Sequence, residues 1–285
     1  MLRQRVITAL VLVGLLLGTL LAHSPWPFAL LTLALIAAAG WEWGRLNQAG
    51  DALALAMGAI VAVAGAAALG GGWVAQAPAA LWWGVTMLWL LCGSLALRVG
   101  PAAWPQVPHP ARWVLGLVAL WAAWLALAHA RAIGINFMLS VLCLVWMADI
   151  AAYFGGRTFG RRKLALSISP GKSWEGVWSG MAGALLLALS WTWIDSRFDV
   201  DGPSLYSILV RGLGWIGAAV ALLALCALSV VGDLVESLVK RAAGAKDSSR
   251  LLPGHGGVLD RVDALLPVVP AALAVASLSL ARGAG

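Results

Sequence analysis

Asp149, Glu175, Asp233, Glu236, Asp247, Asp260 and Asp263 make up seven of the twelve acidic residues, and all lie in or beside two polar stretches of an apolar chain. Asp149, Tyr153 and Arg157 recur every four residues, so a helix places them on one face. A carboxylate on an apolar helix costs about 2.5–3.5 kcal/mol on insertion scales, so it faces a cavity or a partner. The spacing predicts a polar stripe that descends to an interfacial site; the bland alternative is a carboxylate near the helix end, paired with Arg157.

The next stretch runs Ser169-Pro-Gly-Lys172-Ser173-Trp-Glu-Gly176. Pro170-Gly171 predicts a turn, and 173–175 open a helix. Ser169, Lys172, Ser173 and backbone N–H groups at a helix start form an anion site. Gly171-Lys172-Ser173 is not a Walker A loop, because the earlier glycine is missing.

The third stretch begins at Gly232. Read as an extension of a helix, it places Asp233, Ser237 and Lys240 on one face, with Glu236 beside them. Asp260 and Asp263, three apart, are neighbours on a helix start. Carboxylates that converge repel one another unless a cation joins them. Oxygen ligands favour Mg²⁺ or a similar hard ion. Zinc is disfavoured, since His255 is the one histidine near and no cysteine is near. The glycines of Pro253-Gly-His-Gly-Gly257 allow tight turns and close approach to a ligand. Lys240, Arg241, Lys246 and Arg250 add positive charge suited to phosphates. Together these parts describe phosphoryl or nucleotidyl transfer. The competing reading is a solvated loop with internal salt bridges.

The elements that must position these groups follow from composition. Of 285 residues, 62% are apolar and 11% charged, with mean hydropathy +0.91. A soluble domain is nearer half apolar and a quarter charged. This excludes a disordered chain, a coiled coil and an ordinary soluble enzyme. The apolar runs are continuous rather than alternating, which disfavours a β-barrel. The chain is therefore an all-α polytopic membrane bundle of about nine spans, at 6–22, 26–44, 52–70, 78–97, 113–129, 133–154, 174–194, 213–231 and 264–281. Spans one to five occupy residues 1–132. Spans six to nine, with loops 155–173 and 232–263, form a catalytic region at 133–285. The first span follows Arg3 and Arg5 and resembles a signal peptide, but Leu20 spoils the cleavage site and an uncleaved helix is expected. Trp73, Trp104, Trp113, Trp174 and Trp193 fall near span ends, as interfacial tryptophans do. Cys92, Cys143 and Cys226 lie in apolar sequence and read as small hydrophobes.

The N-terminus and the loops after even-numbered spans carry 15 of the 19 Lys and Arg, against 3 on the opposite side, with Arg211 at a span edge. The positive-inside rule then puts the N-terminus and both polar loops in the cytoplasm. The net charge of +7 records this orientation and contact with anionic lipid, not nucleic acid.

At these residues the sequence resembles the phosphatidate cytidylyltransferase (CDP-diacylglycerol synthase) family. Ser237 to Asp263 follows the signature Ser-x-apolar-Lys-Arg, four residues, Lys-Asp, and finally His-Gly-Gly-apolar-x-Asp-Arg-apolar-Asp. Asp149-x-x-Ala-Tyr-x-x-Gly-Arg157 and Ser169-Pro-x-Lys-Ser-Trp-Glu-Gly176 resemble family features too, although Gly171 stands where relatives often carry a basic residue. The first five spans match in character only.

The resemblance implies CTP + phosphatidate → CDP-diacylglycerol + pyrophosphate with Mg²⁺, and room for a second cation, at the cytoplasmic face of the cell membrane. It assigns Asp233, Asp260 and Asp263 as metal ligands, with Asp149 and Glu236 as weaker candidates. Lys172, Lys240 and Arg241 would hold phosphates, Arg261 the leaving pyrophosphate, and His255 would position groups. Expected substrate contacts are Asp149, Tyr153, Arg157, Ser169, Lys172, Ser173, Ser237, Lys246, Asp247, Gly256 and Gly257. Membrane lipid surrounds the protein, and a homodimer is compatible with it. The rivals are a CTP-dependent enzyme acting on another lipid, and a transporter; the second predicts mid-membrane acids and internal repeats.

Overall fold

A computed structural model describes residues 2–198 and 201–283, without the side chains of 2–6, 9 and 280–283. Arg3, Arg5 and Arg282 of the charge count therefore lie outside the described side chains.

The chain is a bundle of helices, because a backbone in hydrocarbon must satisfy its own N–H and C=O groups. In order they are α1 (Leu2–Leu20), α2 (Trp26–Leu46), α3 (Asp51–Gly70), the single turn α4 (Trp73–Gln76), α5 (Ala79–Leu88), α6 (Ser94–Ala103), α7 (His109–Ile133) and α8 (Ile135–Phe159). Then come strands β1 (Lys163–Ala165) and β2 (Ser169–Ser173), and α9 (Trp174–Asp195), α10 (Leu205–Ala242), α11 (Leu259–Val262) and α12 (Leu265–Gly283). A π turn at Trp89–Gly93 joins α5 to α6, so the two act as one span. Among the described residues, eight helices are long and apolar enough to cross a membrane, and Leu10–Leu20 is a shorter apolar one.

Helices α8 and α9 pack most closely, through small residues. A Cβ on Gly180 would lie 2.7 Å from the Ala148 carbonyl oxygen, and one on Gly176 2.9 Å from that of Ala152. Such contacts replace the hydrophobic drive that lipid does not supply. Helix α12 packs on α5, α7 and α10, so residues on both sides of position 132 share one core. Trp104, near the end of its span, is buried, and its indole donates to Asn47 Oδ1 at 2.9 Å. Trp43 and Trp124 likewise spend their N–H groups on the Arg112 and Ala29 carbonyls.

Two elements differ from the sequence expectation. Pro170-Gly171 is not the turn; it lies in β2, and the hairpin turns at 166–168. A two-stranded ribbon is all edge, where proline costs no ladder bond. Helix α10 continues eleven residues beyond 231, so Asp233, Glu236, Ser237, Lys240 and Arg241 are helical and the connecting loop is 243–258.

The two ends of the bundle are both polar. At one, Asp195 accepts from Asn136, Ser204 and Ser207, while Asp201 receives the N–H groups of Ile135 and Asn136. At the other, Thr8 of α1 donates to the Pro253 carbonyl. The first half of α1, the C-terminal part of α2 and the 243–258 loop therefore share a face.

Candidate active site

The β-hairpin is clipped to the first turn of α9. Ser173 caps that helix by accepting the Gly176 N–H at 3.2 Å. Glu175 accepts the N–H groups of Arg161 and Arg162 at 3.0 and 3.1 Å, and Nε of Arg162 at 3.2 Å. Buried Ile168 anchors the hairpin turn, and its carbonyl accepts from Nε of Arg241. These ties hold β2 against α10 and aim Lys172 inward.

Between α8, β2, α9 and α10 lies a cavity of about 550 Å³, within the usual range for small-ligand sites. Helix α8 lines it with Asp149, Tyr153, Gly156 and Arg157, β2 with Ser169, Gly171, Lys172 and Ser173, and α10 with Ser229 and Asp233. The Asp149–Tyr153–Arg157 stripe thus faces the cavity as its spacing predicts. Arg157 pairs with the Tyr153 hydroxyl at 3.3 Å rather than with Asp149.

Charge is concentrated on one wall. Lys172 Nζ forms an ion pair with Asp233 Oδ2, both side chains being about a quarter exposed. Asp233 also accepts from Ser237 Oγ at 3.3 Å. It lies in electrostatic range of both Asp149 and Asp263. Asp263 is brought there because Gly232 has no side chain: a Cβ would stand 2.5 Å from the Asp263 carbonyl oxygen.

A second cluster forms where α10 meets the 243–258 loop. Lys240 Nζ sits 2.6 Å from both Glu236 Oε2 and Asp260 Oδ1. Asp260 Oδ2 accepts the N–H groups of Ser248 and Gly257 at 2.9 and 2.8 Å. Asp260 is therefore committed to Lys240 and the loop, while Asp233 is committed to Lys172. Arg261 donates to the His255 carbonyl at 3.0 and 2.6 Å, and Arg241 to two backbone carbonyls. Lys246 and Asp247 are exposed on the loop. Gly256 takes φ +82, a conformation that favours glycine, and Gly257 is buried against Ser248 and Glu42.

Among the described residues, no three His, Cys, Asp or Glu side chains converge tightly enough to enclose a metal ion. Magnesium needs less, since it binds through one or two carboxylates plus water and substrate phosphates. Asp149 and Asp233 supply such carboxylates to one cavity, with Ser229 Oγ buried and unpartnered beside them. This all-oxygen donor set fits a hard divalent cation.

Two contributors escaped the sequence reading. Ser229, four residues before Asp233, carries no local signal. Glu42 does: it is an acid within an apolar span, the same anomaly that singles out Asp149. It is fully buried and reaches Ser248, Ser249, Val258 and Leu259.

The chain is a polytopic membrane protein and belongs to the cytidylyltransferase family, whose sequence model matches residues 3–279. The phosphatidate cytidylyltransferase of Pseudomonas aeruginosa is 38% identical over 95% of both chains. That of Haemophilus influenzae is 35% identical over 95% of this chain and 96% of its own. That of Brucella melitensis is 47% identical over 133 residues, 47% of this chain and 44% of its own.

Proposed function

We infer that the protein transfers a cytidylyl group from CTP to phosphatidate, releasing CDP-diacylglycerol and pyrophosphate. The observation that carries this reading is the cavity shared by Asp149, Lys172 and Asp233, in a chain that matches relatives of that name over nearly its whole length. Such a site suits one substrate held in a leaflet and another arriving from water. The charge asymmetry of the loops supports a cytoplasmic site in the cell membrane.

A phosphatidate phosphate oxygen attacks the α-phosphorus of CTP. A new P–O–P bond forms, the α–β anhydride breaks, and pyrophosphate carries off the electron pair. The nucleophile is already anionic and needs little general-base help. The barrier is the approach of two anions, so positive charge must be arranged in advance. Lys172 is the cation directed into the cavity, and Arg157 stands at its rim. Lys240, about two helical turns beyond Asp233 on α10, holds Asp260 in place. Asp149 and Asp233, with Asp263 adjacent, would hold a divalent cation. When bound, that ion neutralises phosphate oxygens as a Lewis acid.

The direct experiment supplies purified protein in mixed micelles with α-labelled CTP, Mg²⁺ and phosphatidate. Labelled CDP-diacylglycerol and stoichiometric pyrophosphate are the expected products. Labelling of an isoprenoid alcohol or ether lipid in preference to phosphatidate would overturn the substrate assignment.

A further inference from the structure

Glu42 sits near the end of α2, 0% exposed. A buried carboxylate is costly unless it is paired or fully hydrogen-bonded. Among the described residues, the compensation comes from a segment more than two hundred residues away. Oε1 accepts from Ser249 Oγ at 2.5 Å and Val258 N–H at 3.0 Å. Oε2 accepts from Leu259 N–H at 2.7 Å, with Ser248 Oγ at 3.2 Å.

Those partners are not neutral bystanders. The Ser248 N–H donates to Asp260 Oδ2 at 2.9 Å, and Asp260 holds Lys240. The chain Glu42–Ser248–Asp260–Lys240–Glu236, through the Ser248 hydroxyl on one side and its backbone N–H on the other, thus links α2 to the acid–base cluster of α10. Gly257 leaves room for it: a Cβ there would stand 2.4 Å from Glu42 Oε1 and 2.0 Å from Ser248 Oγ. Glu42 itself does not line the cavity.

We propose that Glu42 is a positioning residue for cytidylyl transfer: it clamps the 248–259 segment so that Asp260 and Lys240 are held in reacting geometry. The proposal rests on the function inferred above. A helix in the N-terminal half of the chain thereby becomes part of the active-site apparatus.

Glu42→Gln is the sharpest test. Either orientation of the amide sets its NH₂ group against one backbone donor, Val258 N–H or Leu259 N–H, so one side of the clamp opens while side-chain volume is kept. Ser249→Ala removes a single bond and is the milder variant. Two readouts are taken on the full-length protein: steady-state kinetics, and hydrogen exchange by peptide. For Glu42→Gln, kcat falls by between about tenfold and about a hundredfold, the cost of small misplacements at a reacting centre. KM for CTP and phosphatidate stays within about twofold, since Glu42 contacts neither substrate's cavity. Exchange rises in peptides covering 247–259 and not in those of α8 and α9. Ser249→Ala shifts both readouts the same way by less. An unchanged kcat in Glu42→Gln overturns the proposal, as does exchange that rises across all helices alike. If the wild type makes no CDP-diacylglycerol, the functional reading fails, and the exchange pattern alone still decides whether the clamp exists.

Discussion

Replacing Lys172 by Met removes the positive charge paired with Asp233. Two effects follow and can be separated. The first is on stability. Unit charges at about 4 Å interact by about 1 kcal/mol in water and about 4 kcal/mol at an effective dielectric of 20. With both side chains about a quarter exposed, the pair falls between the surface and buried limits, and losing Lys172 costs about 1–3 kcal/mol. Asp233 is then left uncompensated in range of Asp149 and Asp263. The second effect is on catalysis. Removing one charged donor aimed at developing charge costs about 10²–10³ in kcat. The assay measures thermal unfolding and turnover of Lys172→Met, Lys172→Arg and the double variant Lys172→Met with Asp233→Asn. The double variant recovers the stability, because no carboxylate is orphaned, but not the turnover. Lys172→Arg keeps the charge and retains more activity than Lys172→Met. Turnover of Lys172→Met within about threefold of wild type would refute the assignment.

Asp260→Asn breaks the contact with Lys240 and abolishes turnover while membrane insertion is unchanged; near-normal activity in that variant removes Asp260 from the site. Chelation with EDTA stops the reaction and added Mg²⁺ restores it, and activity that survives exhaustive chelation rules the divalent cation out. Gly180→Ala forces a methyl to within 2.7 Å of the Ala148 carbonyl oxygen. Separating α8 from α9 there displaces Asp149, one residue along, so both thermal stability and kcat decline, stability by about 1–3 kcal/mol. Wild-type unfolding and kinetics in Gly180→Ala would show that this helix contact does not set the site.

The membrane class, the approximate number of spans and part of the candidate cavity's lining were legible in the residues themselves. The physical reason is that the bilayer acts as solvent for each span separately, so an apolar run of sufficient length declares itself without knowledge of its partners. The polar stripe of Asp149, Tyr153 and Arg157 was legible for a related reason, since helix periodicity is local. Periodicity puts Asp233, Ser237 and Lys240 on one face if the helix runs on, but the span read from the sequence ends at 231 and only the structure carries α10 to Ala242.

Tertiary structure decided which charges meet. Asp233 faces Lys172 across 61 residues, and Asp260 turns to Lys240 and Ser248 rather than to Asp233. The three aspartates of the C-terminal stretch read as one group by type and spacing, yet each has its own partners. Only the packing order of α2, α8, α10 and the hairpin settles those pairings. Glu42 shows the limit most clearly. Its position within an apolar span is unusual but escaped the sequence reading, and nothing local names its partners, which lie 206 to 217 residues later. No periodicity or spacing rule reaches that far, because the energy that pairs a buried carboxylate with distant donors exists only once the bundle has closed around both.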